Sequence, residues 1–354
     1  MPYIRIGTDP YSGESVYFYE RNAFGVNIVV APTRYGKTAL VKLLYVKIAN
    51  LAHRPIIVID YRSEHKESEW PNWDSKDSMY CIPFKTIENF GFRISDFDSH
   101  IDWQSLNFPP QTSMQFARLA KHKEAHQDDP ELFKEMLADL PQYDNMMTKF
   151  EQRWGFALSR PVHKEVYKAL QGFAEFEHIF CSEKSKLIEI NNWQAMVWKH
   201  KHLHICLNIA REDDKLKARA YVGKILEKLS DASFLRIIRP VFVFEEADKL
   251  VPNVSAEDRN SPSSLLWVQE YVLKLQKYHP ELFFITQDLH LLDSMVVSNF
   301  HTMILGGNQK YHPSTQYLRW DSSRNYREFL LINKGQRETK IFVPEDCPCK
   351  MVEL

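Results

Sequence analysis

Val26-Asn27-Ile28-Val29-Val30 runs directly into Ala31-Pro32-Thr33-Arg34-Tyr35-Gly36-Lys37-Thr38, and Leu40, Leu44, Ile48 and Leu51 follow on one helical stripe. The first five residues form a continuous apolar run of the kind buried on both faces of a parallel sheet. The next eight match the pattern G-x-x-x-x-G-K-[ST], with Ala31 where the first glycine usually stands. An apolar strand before it and an amphipathic helix after it are the context this loop requires. Its backbone N–H groups and the positive end of the helix would cradle phosphates. The expected nucleotide-binding residues are therefore Pro32, Thr33, Arg34, Tyr35, Gly36, Lys37, Thr38 and Ala39. Lys37 would reach the β and γ phosphates of ATP, and the Thr38 hydroxyl would ligate Mg²⁺. Ala31 lacks glycine's freedom at positive φ, so an altered loop entry is expected.

Working outward, Pro55-Ile56-Ile57-Val58-Ile59-Asp60 is a second buried-type strand, which completes a strand–helix–strand unit and implies a parallel sheet. The same rhythm resumes near residue 201. Strands are expected at Leu203–Ile209, Val241–Phe244, Leu282–Thr286 and Thr302–Leu305, with helices at Lys215–Leu229, Ser263–Lys277 and Leu289–Ser298. Two hairpins flank this pattern: Tyr3–Ile6 with Ser15–Tyr19, and Glu328–Asn333 with Thr339–Val343 around Lys334-Gly335. Between about 61 and 200 the character differs. Six of the eight tryptophans lie there (Trp70, Trp73, Trp103, Trp154, Trp193 and Trp198), strand runs are few, and prolines divide helical segments such as Phe116–Ala125 and Pro161–Phe176. The expected organisation is an α/β RecA-like ATPase core over 1–60 and 201–354, interrupted by a mostly helical insertion at 61–200.

Val241-Phe242-Val243-Phe244-Glu245-Glu246 ends an apolar strand in two carboxylates. The carboxyl ends of parallel strands collect ligands, so these groups should face the phosphate loop. Glu245 would enter the Mg²⁺ shell, and Glu246 would orient or deprotonate the attacking water. A solvated pair capping the next helix is the plainer alternative. Gln287, ending the strand at 282–286, can hydrogen-bond the γ-phosphate or that water, since an amide both donates and accepts. Asp60 ends its strand in a similar place and reads equally as a turn or capping aspartate.

In this order of motifs the chain resembles the HerA/FtsK superfamily of P-loop ATPases. The resemblance rests on Ile6-Gly7-Thr8-Asp9-Pro10-Tyr11-Ser12-Gly13 before the phosphate loop and on Val58-Ile59-Asp60-Tyr61-Arg62-Ser63-Glu64. It continues through Ile205-Cys206-Leu207-Asn208-Ile209, Phe242-Val243-Phe244-Glu245-Glu246-Ala247-Asp248, Ile285-Thr286-Gln287 and Val297–Ile304. It implies an ATP-driven DNA translocase working as a homo-oligomeric ring, a hexamer in most members. It also implies an arginine finger from a neighbouring subunit, for which Arg21 and Arg211 are candidates. Asp288 follows Thr286-Gln287 where the HerA branch often has arginine. A reading from another class is a nucleotide-controlled assembly or switch ATPase acting on protein partners.

Composition bounds these readings. The chain has 354 residues, 44% hydrophobic and 26% charged, with a formal net charge of −1. That balance gives no support for a generally basic surface, although a ring needs positive charge only along its channel. Five cysteines without C-x-x-C pairs argue against a disulfide framework or a zinc ribbon. Met1-Pro2-Tyr3-Ile4-Arg5 lacks the charged and apolar regions of a signal peptide. No apolar run reaches the length of about 18 residues that a membrane span needs, so a cytoplasmic protein is expected. Lys184, Lys186, Lys199 and Lys201 near Trp193 and Trp198 read as solvated lysines around core tryptophans. His200, His202 and His204 read as exposed histidines on a strand edge.

Overall fold

The computed structural model describes residues 3–19, 25–52, 54–62, 84–88, 90–106, 108–122, 130–142, 147–157, 180, 192–207, 209, 215–253, 271–272, 274–275, 277–278, 281–311, 318–321, 327–335 and 339–345. Their strands are β1 (Tyr3–Thr8), β2 (Ser15–Tyr19), β3 (Gly25–Val30), β4 (Ile56–Asp60), β5 (Lys85–Ile87), β6 (Leu203–Cys206), β7 (Val241–Glu245), β8 (Glu281–Thr286), β9 (Phe300–Gly306), β10 (Asn308–Tyr311), β11 (Leu318–Asp321), β12 (Phe329–Asn333) and β13 (Thr339–Pro344). Eleven of them form one sheet in the order β2-β1-β13-β12-β9-β3-β8-β7-β4-β6-β5. From β9 to β5 neighbouring strands run parallel. From β9 outward through β12, β13, β1 and β2 they alternate in direction. Both expected hairpins thus exist, and the structure adds that β1 pairs with β13, which joins them into one antiparallel wing.

Alternation along the buried strands sorts the core onto two faces. Val29, Val58, Val243 and Ile285 face α1 (Lys37–Ala52), which covers them with Leu40, Val41, Leu44, Tyr45 and Ile48. Ile28, Ile59, Phe244 and Phe284 face the other way and pack with Ala220, Ile225 and Leu229 of a helix at Lys215–Leu229. The helices within 61–200 are α2 (His100–Ser105), α3 (Pro110–Lys121), α4 (Pro130–Gln142), α5 (Met147–Trp154) and α6 (Asn192–His200), so the Lys215–Leu229 helix is α7. Trp103, Phe116 and Phe133 of α2, α3 and α4 belong to the same contiguous core as the second sheet face. The Trp103 ring stacks on Phe133 at 5.6 Å, and its Nε1 donates to the Phe97 carbonyl at 2.7 Å. A buried ion pair ties α2 to α7: Lys224 Nζ lies 2.9 Å from Asp102 Oδ1.

Several local expectations are corrected. Pro110 and Pro130 divide helical segments as expected, each at a helix start where proline's missing N–H has no partner anyway, but Pro141 lies in the last turn of α4 and divides nothing there. The expected helix over Leu289–Ser298 is two short pieces, a 3₁₀ turn at Leu289–Leu291 and a helix at Ser294–Ser298. Asp288 and Asp293 each accept a backbone N–H two residues on, so two caps restart the chain where one helix was expected. The strand β5 and the hairpin β10–β11 were not foreseen. Pro161–Phe176 and most of Ser263–Lys277 lie outside the described residues. Among those described, no helix is long and apolar enough to cross a membrane.

Candidate nucleotide site

All six residues of β3 are buried, and the ladder to β8 continues one residue beyond the strand, with Ala31 N–H donating to the Thr286 carbonyl at 3.3 Å. The chain then turns through Pro32–Gly36 into α1. The left-handed positions of this loop are Arg34 (φ 65) and Gly36 (φ 90), not Ala31. The altered loop entry expected for Ala31 is therefore not needed, since alanine sits where glycine's special freedom is unused. Pro32, Thr33, Arg34 and Thr38 are exposed, while Tyr35, Gly36, Lys37 and Ala39 are half-buried.

The loop leans on the end of β9 and the start of β12. Tyr35 Oη donates to the Glu328 carbonyl at 3.0 Å, and its ring meets Phe329 edge-on at 5.5 Å. A Cβ at Gly306 would come within 2.8 Å of the Tyr35 ring, so only glycine lets β9 approach this closely. Arg327 crosses the loop: a Cβ at Gly36 would meet its Cγ at 3.2 Å. Sequence reasoning missed Arg327, because it precedes a strand far along the chain and no motif marks it.

Strand β8 separates β3 from β7, and its end links both. Lys37 Nζ donates to the Thr286 carbonyl at 3.2 Å, while Thr286 Oγ1 donates to Asp248 Oδ1 at 2.9 Å. Beside it Thr33 Oγ1 donates to Gln287 Oε1 at 3.2 Å, which joins the exposed amide to the phosphate loop. Lys37, Thr33, Gln287 and the turn after β7 are thus brought together.

The two glutamates part at the end of β7. Glu245 is buried and accepts from Tyr45 Oη of α1 at 3.2 Å. Burial first, then the Glu245 charge, pushes the Tyr45 hydroxyl well above its ordinary range, so it remains a donor at neutral pH. Glu246 adopts a left-handed conformation (φ 49) before a short helix, α9 (Ala247–Leu250) once the helix at Ala232–Ile238 is counted as α8. Its side chain makes no capping bond; its Oε2 lies 3.1 Å from Arg62 Nε. The plainer alternative of a solvated capping pair therefore fails for both residues.

Asp60 is neither a turn nor a capping residue: it is buried, and its Oδ2 lies 3.0 Å from His204 Nε2. The reading of exposed histidines is overturned for two of the three. His202 and His204 are 3% and 0% exposed because β5 pairs outside β6 and removes its edge. Trp193 is buried as expected, but Trp198 is 60% exposed. Arg21, Arg211, Lys184 and Lys186 lie outside the described residues.

The five strands β9-β3-β8-β7-β4, with a phosphate loop after the second and paired carboxylates after the fourth, define a RecA-like P-loop NTPase fold. The sequence matches no family model and no curated protein. Among solved structures, the chain is similar to the bacterial conjugative coupling protein TrwB in its unbound form, at TM-score 0.60 and 11% identity over 99% of this chain and 91% of that one. A second TrwB structure, in complex with ADP and Mg²⁺, matches at TM-score 0.57 and 12% identity over 100% and 95%. VirB4 of Thermoanaerobacter pseudethanolicus matches at TM-score 0.56 and 14% identity over 98% and 97%. These likenesses show the fold that the chain shares with TrwB and VirB4.

Proposed function

We propose that this chain is an ATP-hydrolysing DNA translocase motor that works as a homo-oligomeric ring, with a hexamer as the expected form. One observation carries the ATPase reading: Lys37 and Asp248, from the phosphate loop and from the turn after the paired glutamates, are both bonded to Thr286 between them. Residues 32–39 would line the phosphates, with backbone N–H groups donated from Thr33 onward and Lys37 turning from the Thr286 carbonyl to the β and γ phosphates. The Thr38 hydroxyl and the Glu245 carboxylate are hard oxygen donors of the kind Mg²⁺ takes, and the remaining positions would stay with water and phosphate. When bound there, Mg²⁺ would offset phosphate charge.

Glu246 would orient and deprotonate the attacking water, and Gln287 would hold water or the γ-phosphate through its amide. Tyr45 would keep the Glu245 carboxylate turned toward α1. Arg21 or Arg211 would reach a neighbouring subunit's nucleotide. Residues 1–60 and 201–354 would form the motor, with 61–200 as its insertion. The fold shared with TrwB, a conjugative coupling protein, supports the DNA-handling part of this reading.

Steady-state ATP hydrolysis with and without double- and single-stranded DNA tests the proposal, with Lys37→Ala and Glu246→Gln as controls. DNA-stimulated turnover that both substitutions abolish is the expected result. Turnover indifferent to DNA sinks the translocase reading and leaves a nucleotide-controlled assembly or switch ATPase acting on protein partners.

A further inference from the structure

Arg62 stands two residues beyond the end of β4, on the strand that adjoins β7 through the pair Asp60–Glu245. Its guanidinium lies against Glu246, with 3.1 Å between Nε and Oε2. The partners differ in access: the Arg62 side chain is 52% exposed and that of Glu246 only 16%. Glu246 itself is held in a left-handed backbone conformation, and its carboxylate does not cap the helix that follows.

We propose that Arg62 is a positioning residue for hydrolysis: it engages the Glu246 carboxylate and releases it to the attacking water when a phosphate group captures the guanidinium. The inference rests on the reading of Glu246 as the water-activating group. In the pair seen here the Arg62 guanidinium occupies Oε2 of Glu246, so it competes with the attacking water for that oxygen. An ion pair with one partner half in solvent is weak and screened by salt, which makes it easy to exchange. Phosphate is the competitor that chemistry favours, because its oxygens match the guanidinium fork in a bidentate, charge-assisted contact. Glu246, mostly covered, stays in place while the exposed partner swings away. The phosphate has two sources, the γ-phosphate of bound ATP and the backbone of a nucleic acid.

The test compares turnover of the whole chain carrying no substitution, Arg62→Gln, Arg62→Lys or Glu246→Gln, across a salt series, with and without double-stranded DNA. Arg62→Gln is expected to raise DNA-free turnover about three- to fivefold, the scale of an exposed ion pair. It should also abolish the rise that moderate salt produces in the unsubstituted protein, a response that a purely structural role would not create. Arg62→Lys, which keeps the charge, should retain that salt response. If the nucleic-acid backbone is the source, Arg62→Gln also flattens the stimulation by DNA. If the nucleotide is the source, that stimulation survives and KM for ATP rises. Turnover of Arg62→Gln at or below that of the unsubstituted chain, with Glu246→Gln inactive, overturns the role of Arg62 alone. Full turnover of Glu246→Gln overturns the assignment of Glu246 itself.

Discussion

Mild acid should destabilise this protein through His202. The ring is buried at the start of β6, its Nδ1 accepts the Ile56 N–H at 3.1 Å, and it packs on Phe84 at 5.2 Å. Burial, and then the charge of Lys201, lowers the imidazole from 6.5 to about 4. Between those two values the unfolded chain binds a proton that the folded chain refuses, so stability rises with pH across this window. The contribution is complete above 6.5 and is lost as pH falls toward 4. At about 1.4 kcal/mol per pH unit the full effect is about 3 kcal/mol, of which about 2 kcal/mol is gone by about pH 5. Urea unfolding at about pH 7 and pH 5 measures it, with His202→Asn as the comparison; asparagine keeps an acceptor near the Ile56 N–H and does not titrate. Other titrating groups act on both proteins alike, so the difference between their pH responses isolates His202. The unsubstituted protein should lose about 2 kcal/mol more than the variant over that interval. Equal losses would refute the argument.

Further outcomes follow from the same geometry. Lys224→Met strands the buried Asp102 carboxylate and should cost about 3–5 kcal/mol in urea unfolding, part of it recovered when Asp102→Asn is added. An unchanged midpoint would show that the pair does not tie α2 to α7. Gly306→Ala forces the Tyr35 ring off its seat and should raise KM for ATP about tenfold, a loss of positioning worth about 1.4 kcal/mol, with a smaller effect on kcat. Ala31→Gly should cost about 0.5–1 kcal/mol of stability through the unfolded chain and leave turnover within about twofold. A gain in turnover there would mean that the loop does need glycine at its entry.

What could be read from sequence was whatever contiguous residues spell out. The apolar run of β3, the Gly36-Lys37-Thr38 turn and the stripe of α1 are local signals, and the structure places them in that order. The two glutamates after β7 were legible as a pair, but their division was not. Tyr45 lies beside the apolar stripe of α1, and nothing local shows that its hydroxyl meets Glu245, two hundred residues further on. The histidines were misread for a related reason. β5 has three residues, Lys85-Thr86-Ile87, too few to show alternation, yet it is the strand that buries His202 and His204. The strand pairs that close the wing, β1 with β13 and β12 with β9, carry no signature in either partner alone.

The central position of β3 sets a timetable for biosynthesis. Its two neighbours are β8 and β9, so every hydrogen bond along its edges waits for residues 281–306. Made from the amino end at about 5–20 residues per second, that wait lasts on the order of 12–50 s. Throughout it, six residues that end up covered, four of them aliphatic, have no sheet to join. The nascent chain therefore carries this strand unpaired for that interval, and until then Lys37 and Ala31 of the phosphate loop lack the Thr286 carbonyl they bond to. A ribosome-bound fragment ending before residue 281 should be retained by chaperones and should fail to bind ATP, whereas release of the whole chain should end both conditions together.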